Sequence, residues 1–196
     1  MEDVWPAVLA MMKRLDPDPD HAIQVCHLST RLFDDLYTLL LLNTDDRLLI
    51  RAGALLHDIG WSNPEKPHHK ASRDIIMNDR NIPFSHNQRV IIALIARYHR
   101  KSIPKNEHTF FNELSSEAQI KVRSCAALLR VADALDRAHN RIVADLTCHY
   151  NSTLILIEYI SDSPLNSELL AFEDKSSLLS DLTSRRIMLK WIKQNP

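Results

Sequence analysis

Apolar residues recur every three or four positions along most of the first 140 residues, which is the spacing of one face of an α-helix. The clearest of these series comprises His21, Val25, Leu28 and Leu32. The pattern changes in the last quarter, where residues 141–150 alternate between apolar and polar and residues 153–160 are rich in β-branched side chains. The sequence therefore predicts a mainly α protein, a helical bundle followed by a small β-β-α-β unit.

Six helices are predicted in the bundle, over residues 3–15, 19–41, 45–58, 68–80, 86–100 and 116–139. Asp18, Thr44 and Ser85 are of residue types that cap helix N-termini, and Gly60 is expected to end the third helix as a C′ glycine. Strands are predicted over 141–150, 153–160 and 185–192, with a helix over 166–182 before the last strand. These elements suggest a helical domain over 1–140 and a small α+β unit over 141–196 packed on it.

Several of the apolar helix faces carry one ionisable residue that points toward the core. The inward residues are His21, His57, His99 and Asp133, and Asp58 follows His57 directly. A single inward histidine is more often a hydrogen-bonded core residue, and a single inward aspartate is more often a cap or an ion-pair partner. Several unpaired polar groups in one core would together cost roughly several kcal/mol, whereas one divalent ion would satisfy them all. The joint pattern therefore favours a metal site.

The same helical spacing separates His27 from the core. It shares a helix face with Arg31 and Asp34, away from the apolar series of His21, and is predicted to lie in solvent. Three further histidines are interpreted as surface or structural residues: His108, His139 and His149.

The order of a histidine, a His-Asp pair and a later aspartate resembles the signature of the HD superfamily of metal-dependent phosphohydrolases. That resemblance implies an all-helical HD-domain bundle with four ligands for a divalent ion: His21, His57, Asp58 and Asp133. It places His57 and Asp58 at the catalytic centre. His68 and His99 fall where two-metal members have further histidines, which implies a possible second ion with Asp58 able to bridge the two.

One branch of that superfamily is closer, because the C-terminal HD domain of the Ppx/GppA exopolyphosphatase and guanosine-pentaphosphatase family resembles roughly residues 17–192. The resemblance rests on the segments HHKAS, RYHRK, LLRVADALDRAH and ELLAFEDKSSLLSDLTSRRIML. The chain has no counterpart of the actin-like domains that carry the family's polyphosphate chemistry, so a stand-alone protein is expected and that chemistry is not implied. Ala71 also stands where the family often has a histidine.

Nitrogen and oxygen ligands without a thiolate suit one or two ions of Mn, Fe, Co, Ni, Mg or Zn. A phosphorylated substrate also needs positive charge near the ions, and the geometry of arginine in particular matches that of phosphate oxygens. The predicted phosphate-binding residues are Lys70, His69, Arg97, Arg100, Lys101 and Arg137. For any one of them, a solvated position at a helix end is the competing interpretation.

Composition narrows the classes of partner. The formal net charge of the 196 residues is -1, so no overall field favours nucleic acid or a membrane surface. The longest apolar run is too short to span a bilayer, and the acidic start of the chain does not resemble a signal peptide. The three cysteines are widely spaced and predict neither disulfides nor a zinc site. A cytoplasmic location is therefore expected.

Three functions compete on these grounds. The leading hypothesis is a phosphohydrolase that cleaves a phosphate ester or pyrophosphate bond, preferably of a nucleotide, with a metal-activated water. The second is a regulatory HD module that binds a nucleotide or polyphosphate without turnover, and the third is an iron-dependent di-metal oxygenase. The expected partner is a phosphorylated small molecule rather than a membrane or a specific nucleic acid, and a homodimer is a further option.

Overall fold

A computed structural model of the chain describes residues 3–194 and shows a mainly helical protein with one small sheet. Its helices are α1 (Trp5–Leu15), α2 (Pro19–Leu36), α3 (Arg47–Leu55), α4 (His68–Asn78), α5 (His86–Arg97), α6 (Ser116–Leu135), α7 (Ser167–Lys175) and α8 (Ser177–Thr183). Its strands are β1 (Asp145–Tyr150), β2 (Leu154–Ser161) and β3 (Arg186–Lys193). Short 3₁₀ turns at Thr44–Asp46 and Ile59–Ser62 precede α3 and α4. The predicted fold class, a helical bundle followed by a small C-terminal sheet unit, is confirmed.

The core of the bundle lies around α2. This helix begins as predicted, with Asp18 Oδ1 accepting a hydrogen bond from the backbone N–H of His21 at 3.2 Å. Its apolar face packs against α3, α6 and β1, and Val25 and Leu28 are fully buried there. The buried apolar residues form one continuous cluster that extends into the sheet, and the domain boundary proposed near residue 140 stays a prediction. Among the described residues, no helix combines the length and apolar character needed to cross a membrane.

The sheet has the order β1-β2-β3 and lies against α2 through β1. β1 and β2 are antiparallel and join at Asn151, whose side-chain oxygen accepts hydrogen bonds from the N–H groups of Thr153 and Leu154, both at 2.9 Å. β3 pairs in parallel with β2, beginning with Leu154 beside Arg186. A parallel pair needs a crossover connection, which α7 and α8 provide.

The single helix predicted over 166–182 is two helices that meet at Ser176. Ser176 and Ser177 donate side-chain hydrogen bonds to the carbonyls of Glu173 and Asp174, respectively. Because such bonds compete with the backbone bonds of a helix, they account for the break. α8 then ends at Ser184 in the left-handed conformation, with φ 52°, before the chain enters β3.

Four helices end three or more residues earlier than the apolar periodicity predicts, at Leu36 in α2, Leu55 in α3, Arg97 in α5 and Leu135 in α6. In α3 and α5 a histidine just beyond the last turn is the cause. His57 Nδ1 donates to the carbonyl of Ala54 at 2.6 Å, and His99 Nδ1 bonds a carbonyl of α5 in the same way. These carbonyls would otherwise accept from a further turn of helix. As a result His57, Asp58 and His99 stand on turns rather than on helices.

The predicted N-cap at Ser85 is confirmed, and the predicted N-cap at Thr44 is wrong. Ser85 Oγ accepts from the N–H of Gln88, whose side chain in turn accepts from the N–H of Ser85. Before α3 the capping side chain is that of Asn43, because a 3₁₀ turn from Thr44 to Asp46 precedes the helix.

Gly60 does not act as the C′ glycine of α3, which corrects the prediction. Its φ is not positive, and α3 ends five residues before it. Gly60 instead lets α4 approach closely, since a Cβ there would lie 2.0 Å from the carbonyl oxygen of His68. The N–H of Gly60 donates to Ser72 Oγ at 2.9 Å, and that hydroxyl donates to the carbonyl of His57 at 2.7 Å. These contacts hold the turn that carries His57 and Asp58 against the start of α4.

We expect Gly60→Ala to lower the free energy of unfolding by about 1–3 kcal/mol, because the backbone of α4 must move to admit the methyl group. Gly53→Ala is the comparison variant, since its added Cβ would lie 2.7 Å from Cγ2 of Ile95 rather than against backbone, and the roughly 1 kcal/mol of helix propensity that alanine gains offsets part of the cost of moving that side chain. Urea denaturation of both variants measures the difference. Equal stability of the two variants would contradict the role assigned to Gly60.

Candidate metal centre

Six side chains that the sequence singles out lie in two groups inside the protein. His21, His57 and Asp133 form the first group, and Asp58, His68 and His99 form the second. Within each group, one ligand atom from each residue lies within 4.8 Å of the others. All six residues expose less than a tenth of their surface. The fold therefore concentrates imidazoles and carboxylates in one buried region of the bundle.

The first group is held by hydrogen bonds on the outer side of each imidazole. His21 Nδ1 lies 2.8 Å from Asp136 Oδ2, and a carboxylate partner makes that nitrogen the donor. His57 Nδ1 is likewise occupied, by the carbonyl of Ala54. The Nε2 atoms of both rings are buried and find no hydrogen-bond partner among residues 3–194. Each ring thus directs a free lone pair toward the space it shares with Asp133, whose Oδ1 lies 3.5 Å from His21 Nε2.

The second group surrounds one oxygen of Asp58. Asp58 Oδ1 lies 3.4 Å from His68 Nε2 and 3.5 Å from His99 Nε2. His99 Nδ1 donates to the carbonyl of Ala96 at 2.6 Å, so its Nε2 is the nitrogen that faces the group, 3.4 Å from His68 Nε2. The other carboxylate oxygen, Asp58 Oδ2, lies 3.7 Å from His57 Nε2. Asp58 therefore stands between the two groups and presents one oxygen to each.

The charges of these side chains suit metal binding at neutral pH. Burial lowers the pKa of His68 to about 4, against the opposing effect of Asp58. Burial also lowers the pKa values of His57 and His99, so these imidazoles stay neutral. Burial by itself would raise the pKa of Asp58, but the positive charge that the facing histidines carry when protonated outweighs burial and holds that pKa below its usual value. Neutral imidazoles and an ionised carboxylate are the forms that coordinate metals.

The donor set fits one or two divalent ions. Imidazole nitrogens and carboxylate oxygens without a thiolate are ligands for Mn, Fe, Co, Ni and Zn, and carboxylates also suit Mg. His21 Nε2, His57 Nε2 and Asp58 Oδ1 are buried and have no hydrogen-bond partner in the described part of the chain. Because buried polar atoms are almost always satisfied, such atoms in both groups fit a cation ligand.

Asp58, one of the four residues expected to share one ion, lies between the two groups. Its Oδ1 faces His68 and His99, and its Oδ2 faces His57 of the first group. The physical reason is the early end of α3, which puts Asp58 on a turn against α4 instead of beside His57 on a helix. Two groups joined by Asp58 match the two-ion arrangement better than a single quartet does. The roles of all six residues as ligands stay predictions.

A cavity of about 400 Å³, open to solvent, is lined mainly by cationic side chains, and two of these contact members of the two groups. Three of the predicted phosphate-binding residues line it: Arg100, Lys101 and Arg137. Arg100 Nη1 lies 3.4 Å from His68 Nε2, which connects the cavity to the second group. Lys175 also lines the cavity, and its Nζ donates to Asp133 Oδ2 of the first group. Burial and the positive charges of Arg130 and Arg100 lower the pKa of Lys175, whereas the carboxylate of Asp133 that it contacts favours the charged ammonium form.

Lys70, His69 and Arg97 do not line this cavity. The side chain of Lys70 is exposed on α4. Arg97 donates to Ser102 Oγ at 3.1 Å. His69 is buried edge-on to His68, with ring centroids 5.5 Å apart, and burial together with Arg97 lowers its pKa to about 4. These positions favour a supporting role for His69 and Arg97 over the predicted contact with phosphate.

Three residues that the structure places at the centre were not predicted to take part in the site. Asp136 holds the ring of His21, and its position one helical turn after Asp133 was its only signal. His139, predicted to be surface or structural, stacks on the His21 ring with centroids 3.7 Å apart. Lys175 comes from the C-terminal unit, in which the sequence shows no catalytic pattern.

Comparisons with known proteins agree with the sequence on the family. A family model described as Ppx/GppA phosphatase, domain III, matches residues 6–174, which is most of the chain and includes both ligand groups. No curated protein gives a match. The family match ends one residue before Lys175.

Asp136→Ala is expected to weaken divalent metal binding about 10- to 100-fold, because without its partner on Nδ1 the His21 ring can turn or change tautomer. His27→Ala is the control on the same helix, since the His27 side chain is 44% exposed and should not matter for metal binding. Calorimetric titration with Mn²⁺ or Zn²⁺ gives both affinities. An unchanged affinity in Asp136→Ala would remove the orienting role assigned to this carboxylate.

Proposed function

Because the chain belongs to the Ppx/GppA phosphatase family through domain III, we propose that it is a metal-dependent phosphohydrolase of the HD type. The bond cleaved is a phosphate ester or a pyrophosphate bond, and the preferred substrate class is a nucleotide. Polyphosphate is the other class of ligand that the family suggests. In this proposal the reacting phosphoryl group meets the centre at His57 and Asp58.

One observation carries the proposal: two buried groups of metal-type ligands meet at Asp58 and adjoin a cavity lined with cations. Asp58 faces both groups, and the cavity reaches them through Arg100 and Lys175. An anion bound in the cavity would therefore have one end next to the ligand groups. Structural metal sites are closed by protein ligands, whereas catalytic sites keep a position open to substrate. The adjoining cavity thus favours catalysis over a structural role.

Divalent ions held by these ligands would lower the pKa of a bound water and polarise a phosphoryl oxygen. The residues of the chain supply positioning and charge. The carbonyls of Ala54 and Ala96 fix the rings of His57 and His99, so the donor atoms need no rearrangement when a ligand arrives. The guanidinium of Arg100 can bind two phosphate oxygens at once. Lys101 and Arg137, on the same cavity wall, add charge that neutralises the remaining oxygens.

Purified protein is expected to release phosphate from one of a panel of nucleotides, pyrophosphate and tripolyphosphate when Mn²⁺ or Co²⁺ is present. Asp58→Ala should reduce that release to background, because this carboxylate faces both ligand groups. His27→Ala should retain the wild-type rate. Nucleotide binding without turnover would instead show that the protein is a regulatory module. Bound iron with oxygen uptake would show that it is an oxygenase.

Metal content tests the two ligand groups separately. Wild-type protein is expected to hold about two ions, and His99→Ala, which alters only the second group, about one. Asp58→Ala should lose both because Asp58 adjoins both groups. Mass spectrometry of metals after dialysis measures the ratios. Wild-type metal content in both His57→Ala and Asp58→Ala would contradict the assigned ligands.

A further inference from the structure

Lys175 is the last residue of α7, in the C-terminal unit, yet its side chain ends at the candidate metal centre. Its Nζ donates to Asp133 Oδ2, and 12% of the side chain is exposed. We propose that Lys175 and Arg130 form an oxyanion site for a phosphoryl group of the substrate, so that the C-terminal unit completes the active site. The proposal rests on the phosphohydrolase function and adds two substrate contacts to it.

Arg130 is a buried cation with unused hydrogen-bond donors. It exposes 3% of its surface and lines the same cavity as Lys175. Its Nη1 donates to the carbonyl of Tyr98 at 3.3 Å, while its Nε is buried and has no partner within residues 3–194. A guanidinium offers five N–H donors and stays charged in proteins. Burying it with donors unpaired costs free energy, and an anion in the cavity would offset that cost.

The ammonium group of Lys175 also has more donors than acceptors around it. It carries three N–H donors, and Asp133 Oδ2 is the one hydrogen-bond acceptor that the described residues provide. Asp133 keeps its other oxygen toward His21, at 3.5 Å from Nε2. Lys175 can therefore hold Asp133 in place and still offer donors to a ligand in the cavity that it lines.

The charge of the cavity selects the class of ligand. Its lining has five cationic side chains and one carboxylate: Arg100, Lys101, Arg130, Arg137, Lys175 and Asp174. Ala171 is the remaining lining residue and the one apolar side chain among them. A phosphoryl group carries more acceptor oxygens and more charge than a carboxylate, and arginine and lysine are the side chains best suited to it. A phosphate ester or a pyrophosphate is therefore the ligand that this lining fits.

The proposal is tested by calorimetric titration of inorganic pyrophosphate into chelated, metal-free protein. Lys175→Met is expected to weaken pyrophosphate binding about tenfold or more, because a charge-assisted hydrogen bond is lost. Lys190→Met is the matched control in the same unit, since the Lys190 side chain is 56% exposed on β3 and pairs with Glu158. It should bind pyrophosphate as the wild type does. Wild-type affinity in a folded Lys175→Met variant would overturn the proposal.

Asp133→Asn separates a lysine that binds the ligand from one that only neutralises Asp133. The substitution removes the competing carboxylate charge and frees the ammonium group, so pyrophosphate should bind severalfold more tightly to the metal-free variant. Circular dichroism shows whether each variant is folded. If Lys175→Met does not fold, Asp133→Asn carries the test, and an unchanged or weaker affinity in that variant overturns the proposal.

These measurements are independent of turnover. A wild-type protein that binds pyrophosphate through Lys175 but releases no phosphate with Mn²⁺ or Co²⁺ would contradict the hydrolase function. The proposed anion site would still be supported. An active enzyme in which Lys175→Met changes neither pyrophosphate affinity nor KM would contradict the role of Lys175. The hydrolase function would still be supported.

Discussion

Three imidazoles at the centre share one constraint: the protein occupies Nδ1 and turns Nε2 toward the candidate ligand groups. The acceptor is Asp136 for His21 and a backbone carbonyl for His57 and His99. The two backbone bonds also stop α3 and α5 at the point where the turns that carry the ligands begin. Adjacent residues of a continued helix would diverge by about 100°, and His57 and Asp58 would then face different parts of the core. The arrangement of the centre thus depends on α3 and α5 ending before the residues that face the two groups.

Helical periodicity located His21 and Asp133 because both stand on regular helices with unbroken apolar faces. It also placed His57 inside the protein. It could not group Asp58 with the second set of histidines, because that grouping depends on where α3 ends. A bond between a side chain and a backbone carbonyl decides that end, and such a bond leaves no trace in the periodicity. The role of Gly60 was missed for a related reason, since the approach of α4 is a tertiary contact.

The place of Arg130 and Lys175 at the site could not be predicted from the sequence for another reason. A charged residue on a long helix is usually solvated, and the burial of Arg130 depends on tertiary packing that includes α7 against α6. Lys175 is 42 residues from Asp133 along the chain, so no local spacing relates them. The order of helices and strands, by contrast, follows from local patterns alone. The pattern did not predict that β3 runs parallel to β2, because the crossover through α7 and α8 determines that direction.

The side chains of the centre are spread along the chain from His21 in α2 to Lys175 at the end of α7. Chains begin to fold from the N-terminus while they are still being synthesised. The apolar faces of α2, α3, α5 and α6 can therefore collapse on the ribosome before α7 has emerged. In that nascent state Arg130 lacks the cover of α7, and Asp133 lacks its lysine. A centre that needs Lys175 would consequently be completed last. The bundle would become compact first, and phosphate could be bound only after α7 has packed against it.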